Sequence, residues 1–146
     1  MALRQTFSLC LPTCPTVVLP GYDTKRWRRQ LGTDGVLSLM GKTGRRTAHF
    51  VSQVGAYLGA GNYYIGRGAI VGSISDSAIV SERTIQGVRM TSPWFFHSIF
   101  VPDGSRHTLA EMDVHEFVRY DYKRKAVMEF LGGVTFRVDR QLELPF

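Results

Sequence analysis

The sequence predicts an α+β domain that is rich in β-structure, with an antiparallel sheet or partly closed barrel and two or three short helices. Short segments of β-branched and aromatic residues, punctuated by Gly, Ser and Asp, recur along the chain. Two segments near the end alternate apolar and polar residues, whereas three other segments have helical signals. The 146 residues, 44% of them apolar, suffice for one core, so we expect a single domain over residues 1–146.

Helices are predicted at three places. Residues 25–31 follow polar capping candidates and precede a glycine that can end a helix. Residues 47–58 carry apolar side chains at helical spacing, which is the clearest helical period in the chain. Residues 108–118 begin with the Thr-x-x-Glu pattern of a capping box, formed by Thr108 and Glu111.

Strands are predicted over much of the remaining chain. A nearly continuous apolar run at residues 94–101, closed by a turn at 102–105, predicts a central strand. Residues 118–122 and 134–138 alternate at period two and predict half-buried antiparallel strands, with hairpin turns at 123–125 and 132–133. The other predicted strands cover residues 6–9, 16–19, 36–40, 62–65, 69–74, 78–81 and 84–90.

The positive charge of the chain is confined to its N-terminal third. The formal net charge is +6, and this excess lies within residues 1–46, because acidic and basic residues balance over 47–146. A localised basic surface attracts phosphates through electrostatic attraction and counterion release. We therefore predict weak, sequence-independent binding of nucleic acid or another polyanion by Lys25, Arg26, Arg28, Arg29, Lys42, Arg45 and Arg46.

The segment 41–46, Gly-Lys-Thr-Gly-Arg-Arg, lies between a predicted strand and the clearest predicted helix. It is not a Walker motif, because the position six residues before Lys42 is Val36 and not glycine. Cations at a helix N-terminus oppose the helix dipole, so their presence suggests a compensating anion such as phosphate. The alternative is a solvated turn whose charges are screened by salt.

Candidate metal ligands occur together only near residue 110. His107, Glu111 and His115 would share one face of a helix if that helix began early enough, and could then bind one zinc ion. The capping-box pattern competes with this arrangement, because it places His107 outside the helix. We therefore expect neither a metal site nor any other cofactor.

The two cysteines, Cys10 and Cys14, cannot form a disulfide framework, and we expect buried, reduced thiols. Apolar stretches are interrupted well before the ~20 residues of a membrane span. These features favour a reducing intracellular compartment or a virus particle over a disulfide-stabilised secreted protein.

The leading functional hypothesis is a non-enzymatic structural component of a large assembly, such as a virion or ribonucleoprotein particle. It would contact other protein subunits and, through residues 1–46, a polyanion such as nucleic acid. This hypothesis depends on the localised charge, the Gly/Ser-rich β segments and the lack of a coherent catalytic set. The alternative is a small metal-dependent hydrolase or nuclease that uses His107, Glu111 and His115.

Overall fold

The computed structural model describes residues 2–14, 17–20, 26, 29–59, 61–80, 84–85, 88–89 and 96–142. Its helices are α1 (Gly32–Thr43), α2 (Val114–Tyr120) and α3 (Tyr122–Leu142), with a 3₁₀ turn at Phe96–Ser98. Its strands are β1 (Ala2–Cys14), β2 (Val17–Pro20), β3 (Thr47–Gly59), β4 (Asn62–Ile74), β5 (Thr84–Ile85), β6 (Val88–Arg89) and β7 (Phe100–Pro102).

Five of the described strands form one sheet in the order β2-β1-β3-β4-β7. β1 pairs antiparallel with β2, and β4 pairs antiparallel with β7, where Gly72 lies opposite Pro102 and Ile74 opposite Phe100. The short strands β5 and β6 form a separate antiparallel pair. The α+β class and the antiparallel sheet are therefore confirmed.

The predicted secondary structure around residues 36–58 is wrong, because helix and strand are exchanged. Residues 36–40, predicted as a strand, lie in α1, where Val36 and Met40 are buried one helical turn apart. Residues 47–58, predicted as a helix, lie in β3. The small side chains Ser52 and Ala56 are buried in β3. Burial therefore alternates along the strand, whereas hydrophobicity does not alternate with it.

The two predicted C-terminal hairpins are also wrong. The segments 118–122 and 134–138 are mostly helical, and both predicted turns lie within α3, which at 21 residues is not a short helix. Tyr122, Ala126 and Phe130 are buried at intervals of four residues, which is the pattern of a helix that packs one face onto a partner.

The region before α2 is more irregular than predicted. In the predicted strand 94–101 the described residues form a 3₁₀ turn and the beginning of β7, which is a short edge strand and not a central one. The turn at 102–105 is confirmed: the Ser105 N–H donates to the Pro102 carbonyl over 3.0 Å, and Gly104 has a φ of 85°. α2 begins only at Val114.

The remaining expectations on secondary structure divide into three groups. The strands predicted at 6–9, 62–65 and 69–74 are confirmed within β1 and β4, and β2 covers 17–19 of the predicted strand 16–19. Residues 78–80 are not in a strand, and the predicted strand 84–90 contains β5 and β6. Of the predicted helix 25–31, Arg26, Arg29 and Gln30 are helical, Leu31 is a turn, and the others lie outside the described residues.

The chain divides by its contacts into two compact units, and the single domain expected over residues 1–146 stays a prediction. One unit combines Met1–Phe7, Val51–Ala69 and Tyr122–Phe146. Its apolar cluster consists of Val54 and Ala56 from β3 and Ala126 and Phe130 from α3, with Tyr64 and Val134 packed against them. The ring of Tyr64 meets that of Phe130 edge-on, with centroids 6.0 Å apart.

In this unit, α3 lies directly on β4 because glycines leave room for its backbone. A Cβ atom on Gly68 would clash with the Tyr122 carbonyl and lie 2.6 Å from the Ala126 nitrogen. A Cβ on Gly66 would clash with backbone atoms of Ala126 and Phe130. The sequence Gly-Arg-Gly thus sets the distance between helix and strand.

The other unit combines Ser8–Phe50 and Ile70–Asp121. Phe50 is buried against Phe100, with ring centroids 4.6 Å apart, and the buried apolar residues also include Val36, Met40, Ile74, Phe96, Leu109 and Met112. Within the described residues, no helix is both long enough and apolar enough to cross a bilayer.

Candidate functional site

Two of the predicted phosphate-binding residues lie at the C-terminal end of α1. Lys42 is in the last turn, and Arg45 follows Gly44, a left-handed C-cap residue whose N–H donates to the Met40 carbonyl over 3.1 Å. Both side chains are exposed. The helix C-terminus stabilises cations, so the argument that these charges require an anion no longer applies. Their role in phosphate binding remains a prediction.

Two further cations, Arg26 and Arg29, lie before the N-terminal end of α1 and are exposed. Lys25 and Arg28 lie outside the described residues. A helix of 12 residues is about 18 Å long, so α1 separates these arginines from Lys42 and Arg45. In the described part of the chain, none of these four cations forms an ion pair with a carboxylate.

Arg46 differs from the other cations because its guanidinium group already has partners. It forms an ion pair with Asp76, with 2.7 Å between Nη2 and Oδ1, and its Nη1 donates to the carbonyls of Ile74 and Ser75. The Ile74 N–H in turn donates to the Arg46 carbonyl over 2.8 Å. We call this set of contacts the Arg46 clasp, and it ties the segment before β3 to the end of β4.

The loop that follows β7 contains a hydrogen-bonded set of three polar side chains. The Ser105 hydroxyl donates to Glu116 Oε1 over 2.9 Å, and His107 Nδ1 lies 3.1 Å from Glu116 Oε2. The Ser105 hydroxyl also accepts from the His107 backbone N–H over 3.0 Å. A Ser-His-acid triad places the histidine between the serine and the carboxylate, whereas here the carboxylate lies between the other two. This arrangement holds the loop against α2 and does not activate Ser105 as a nucleophile.

The candidate metal ligands are not brought together. His107 is paired with Glu116, and Glu111 accepts hydrogen bonds from the Thr108 N–H and hydroxyl at 2.7 and 2.9 Å. His115 is exposed on α2, which begins at Val114 and therefore contains neither His107 nor Glu111. No group of three or more metal-binding side chains occurs within the described ranges. The arrangement proposed for the hydrolase alternative is therefore wrong, because residues 108–111 form an isolated turn that does not continue into the helix.

Sequence reasoning missed two residues that organise this region. Glu116 belongs to an Asp-x-x-Glu pattern in which Asp113 caps α2, accepting from the Glu116 N–H over 2.8 Å, and this pattern was visible in the sequence. His97 is only 4% exposed, and the centroid of its ring lies 5.4 Å from that of Phe50 and 6.2 Å from that of Phe117. No local pattern identifies His97, since both aromatic partners are distant in sequence.

The sequence of this chain is similar to a known protein family and to curated members of known activity. The model of the Ham1 family matches residues 15–132. A dITP/XTP pyrophosphatase of Pyrococcus horikoshii is 32% identical over 111 residues, and that of Thermococcus kodakarensis is 29% identical over 111 residues. Each alignment covers 76% of this chain and 54% of the relative, so the chain spans about half the length of these curated relatives.

Solved structures show the same fold. The Ham1 proteins of Coxiella burnetii and Staphylococcus aureus each superpose with a TM-score of 0.71 at 16% identity. The aligned regions cover 91% and 92% of this chain and 66% and 67% of those chains.

These matches overturn the leading functional hypothesis from the sequence. A structural component of a virion or ribonucleoprotein particle is wrong, because the matched family and its curated relatives are nucleotide-hydrolysing enzymes and not assembly proteins. A virus particle is accordingly unsupported as a location.

Proposed function

The chain belongs to the Ham1 family, and from this premise we propose that it acts in nucleotide hydrolysis, as a pyrophosphatase for dITP or XTP. The observation that carries this proposal is the family match over residues 15–132, which includes all of α1, β3, β4, β7 and α2. The two archaeal relatives have this activity in their names. Their sequences extend well beyond the aligned part, so the activity of this chain is a proposal to be measured.

The proposed reaction is the attack of water at the phosphoanhydride bond between the α- and β-phosphates, which breaks this bond and releases pyrophosphate and a nucleoside monophosphate. In phosphoryl transfer the protein contributes mainly positioning and electrostatic stabilisation, with little covalent chemistry of its own. The positive balance of the chain, +6, suits a polyanionic substrate.

The test is release of pyrophosphate from dITP and XTP by the purified chain, with dATP and dGTP as comparison substrates. Assays are run with and without Mg²⁺, because this cation commonly accompanies phosphate substrates. We expect faster release from dITP or XTP than from the ordinary nucleotides. The control is Gly68→Val purified in the same way, since a bulky side chain there collides with α3 and activity from a contaminant would survive it.

Binding is measured separately from turnover by thermal unfolding with each nucleotide. A ligand at 100 times its dissociation constant stabilises the folded state by about 2.7 kcal/mol. Stabilisation by dITP or XTP without pyrophosphate release would indicate a nucleotide-binding protein and contradict the hydrolase. Equal rates for all four nucleotides would contradict the proposed specificity.

A further inference from the structure

Most of the cations that the structure describes in the N-terminal third have no carboxylate partner among the described residues. Of the cations that the structure describes between residues 26 and 46, only Arg46 is paired with a carboxylate. Arg26, Arg29, Lys42 and Arg45 are exposed and unpaired in the described part of the molecule. The acidic and basic residues of 47–146 balance in number, so the net positive charge of the chain comes from residues 1–46, to which these four contribute.

These four residues form two pairs, one at each end of α1. The helix axis between them is about 18 Å long. Phosphates along one strand of duplex DNA are spaced by about 3.4 Å of helix axis, so α1 spans roughly five such steps. The triphosphate group of a nucleotide is much shorter than α1, so its phosphates can contact one pair only. Simultaneous contact with both pairs requires an extended polyphosphate.

We propose that α1, with one of these cation pairs near each of its ends, forms a sequence-independent contact for the backbone of duplex nucleic acid. This surface is distinct from the proposed nucleotide hydrolysis, because it requires an anion as long as the helix. The four cations would contact phosphates, so the contact positions the duplex without selecting a sequence. Charge complementarity distinguishes this partner from a neutral protein surface.

One acidic residue lies along the exposed side of α1 and provides an internal test. Asp34, Ser38 and Lys42 follow one another at intervals of four residues and share an exposed face or its border. A phosphate backbone that passes along α1 must approach Asp34, whose charge opposes it. Removal of that charge should therefore strengthen binding, whereas an isolated contact at either end of the helix would be less sensitive to it.

The experiment is fluorescence anisotropy of a labelled 20-base-pair duplex of mixed sequence, titrated with the full chain at several KCl concentrations. Four phosphate contacts predict a slope of log K against log salt of about −3.6. Arg26→Gln with Arg29→Gln should halve this slope, and so should Lys42→Gln with Arg45→Gln. Asp34→Asn should tighten binding several-fold. The matched controls are Arg46→Gln, whose charge is already paired, and Arg119→Gln on α2, and both should leave the slope unchanged.

Several outcomes would overturn the proposal. These are the absence of binding at 50 mM salt, a slope that only one of the two double variants changes, or an effect of Arg119→Gln as large as that of either pair. Equal affinity for poly-glutamate of the same charge would replace nucleic acid by acidic protein as the partner. Full displacement of the duplex by dITP at constant ionic strength would place the contact in the nucleotide site. Failure of the hydrolysis assay leaves all of these measurements interpretable, since none depends on turnover.

Discussion

The close approach of α3 to β4 makes Gly68 sensitive to any added side chain. An added Cβ would collide with the Tyr122 carbonyl, lie 2.6 Å from the Ala126 nitrogen and lie 2.9 Å from the Lys125 Cβ. Two of these three atoms belong to the backbone, so the clash can be relieved only by moving the helix. That movement would also open the cluster around Ala126. Overpacking typically costs 1–3 kcal/mol, and the lower entropy of alanine in the unfolded chain offsets about 0.5–1 kcal/mol of it.

We therefore expect Gly68→Ala to lower the free energy of unfolding by about 1 kcal/mol. With a urea m-value of about 2 kcal/mol/M, the unfolding midpoint should fall by about 0.5 M. The matched control is Gly132→Ala, because Gly132 lies in α3 with no atom within 4 Å of its added Cβ. This control should stabilise the protein by up to about 1 kcal/mol through helix propensity. A Gly68→Ala midpoint equal to or above that of the wild type would refute the packing argument.

Three further changes test the other contacts. Arg46→Met should lower stability by about 1–2 kcal/mol in urea unfolding, and Asp76→Asn by much less, because the two carbonyl bonds of the clasp remain; equal effects would contradict this division. Phe50→Ala should cost about 3–5 kcal/mol, since this buried ring contacts both His97 and Phe100; an unchanged unfolding midpoint would place Phe50 outside the core. Glu116→Gln should weaken the hydrogen bonds that Glu116 makes to Ser105 and His107 in the loop after β7. Trypsin should then cleave after Arg106 faster than in the wild type. Cleavage at the wild-type rate would show that these bonds do not order the loop.

The fold class could be predicted from the sequence because the strands β1 and β4 carry clear β-forming composition. The exchange of helix and strand at residues 36–58 has a physical cause. In β3 the buried positions include Ser52 and Ala56, so a hydrophobicity pattern does not reveal its period of two. In α1, glycines and Ser38 interrupt the apolar stripe of the helix. The remaining apolar residues of segment 36–40 then resemble a short strand.

The contacts of the cations at residues 42–46 were less predictable than the fold, because the partners of Arg46 are distant in sequence. The partner of Arg46 is thirty positions further along the chain, and nothing near Arg46 indicates that its charge is neutralised. The exposed charges of Lys42 and Arg45 could be predicted, since composition alone identified them. Their position at a helix C-terminus could not, because it depended on assigning α1 correctly.

The glycines that accommodate α3 differ in whether a second substitution could repair them. The three atoms nearest to an added Cβ at Gly133 all belong to the phenol ring of Tyr64, so a bulkier residue at 133 should be rescued by a smaller side chain at 64. Gly66 and Gly68 meet mainly main-chain atoms, which no change of side chain removes. A suppressor screen should therefore recover compensating alleles for lesions at 133 readily. For lesions at 66 and 68 it should return almost only true revertants to glycine.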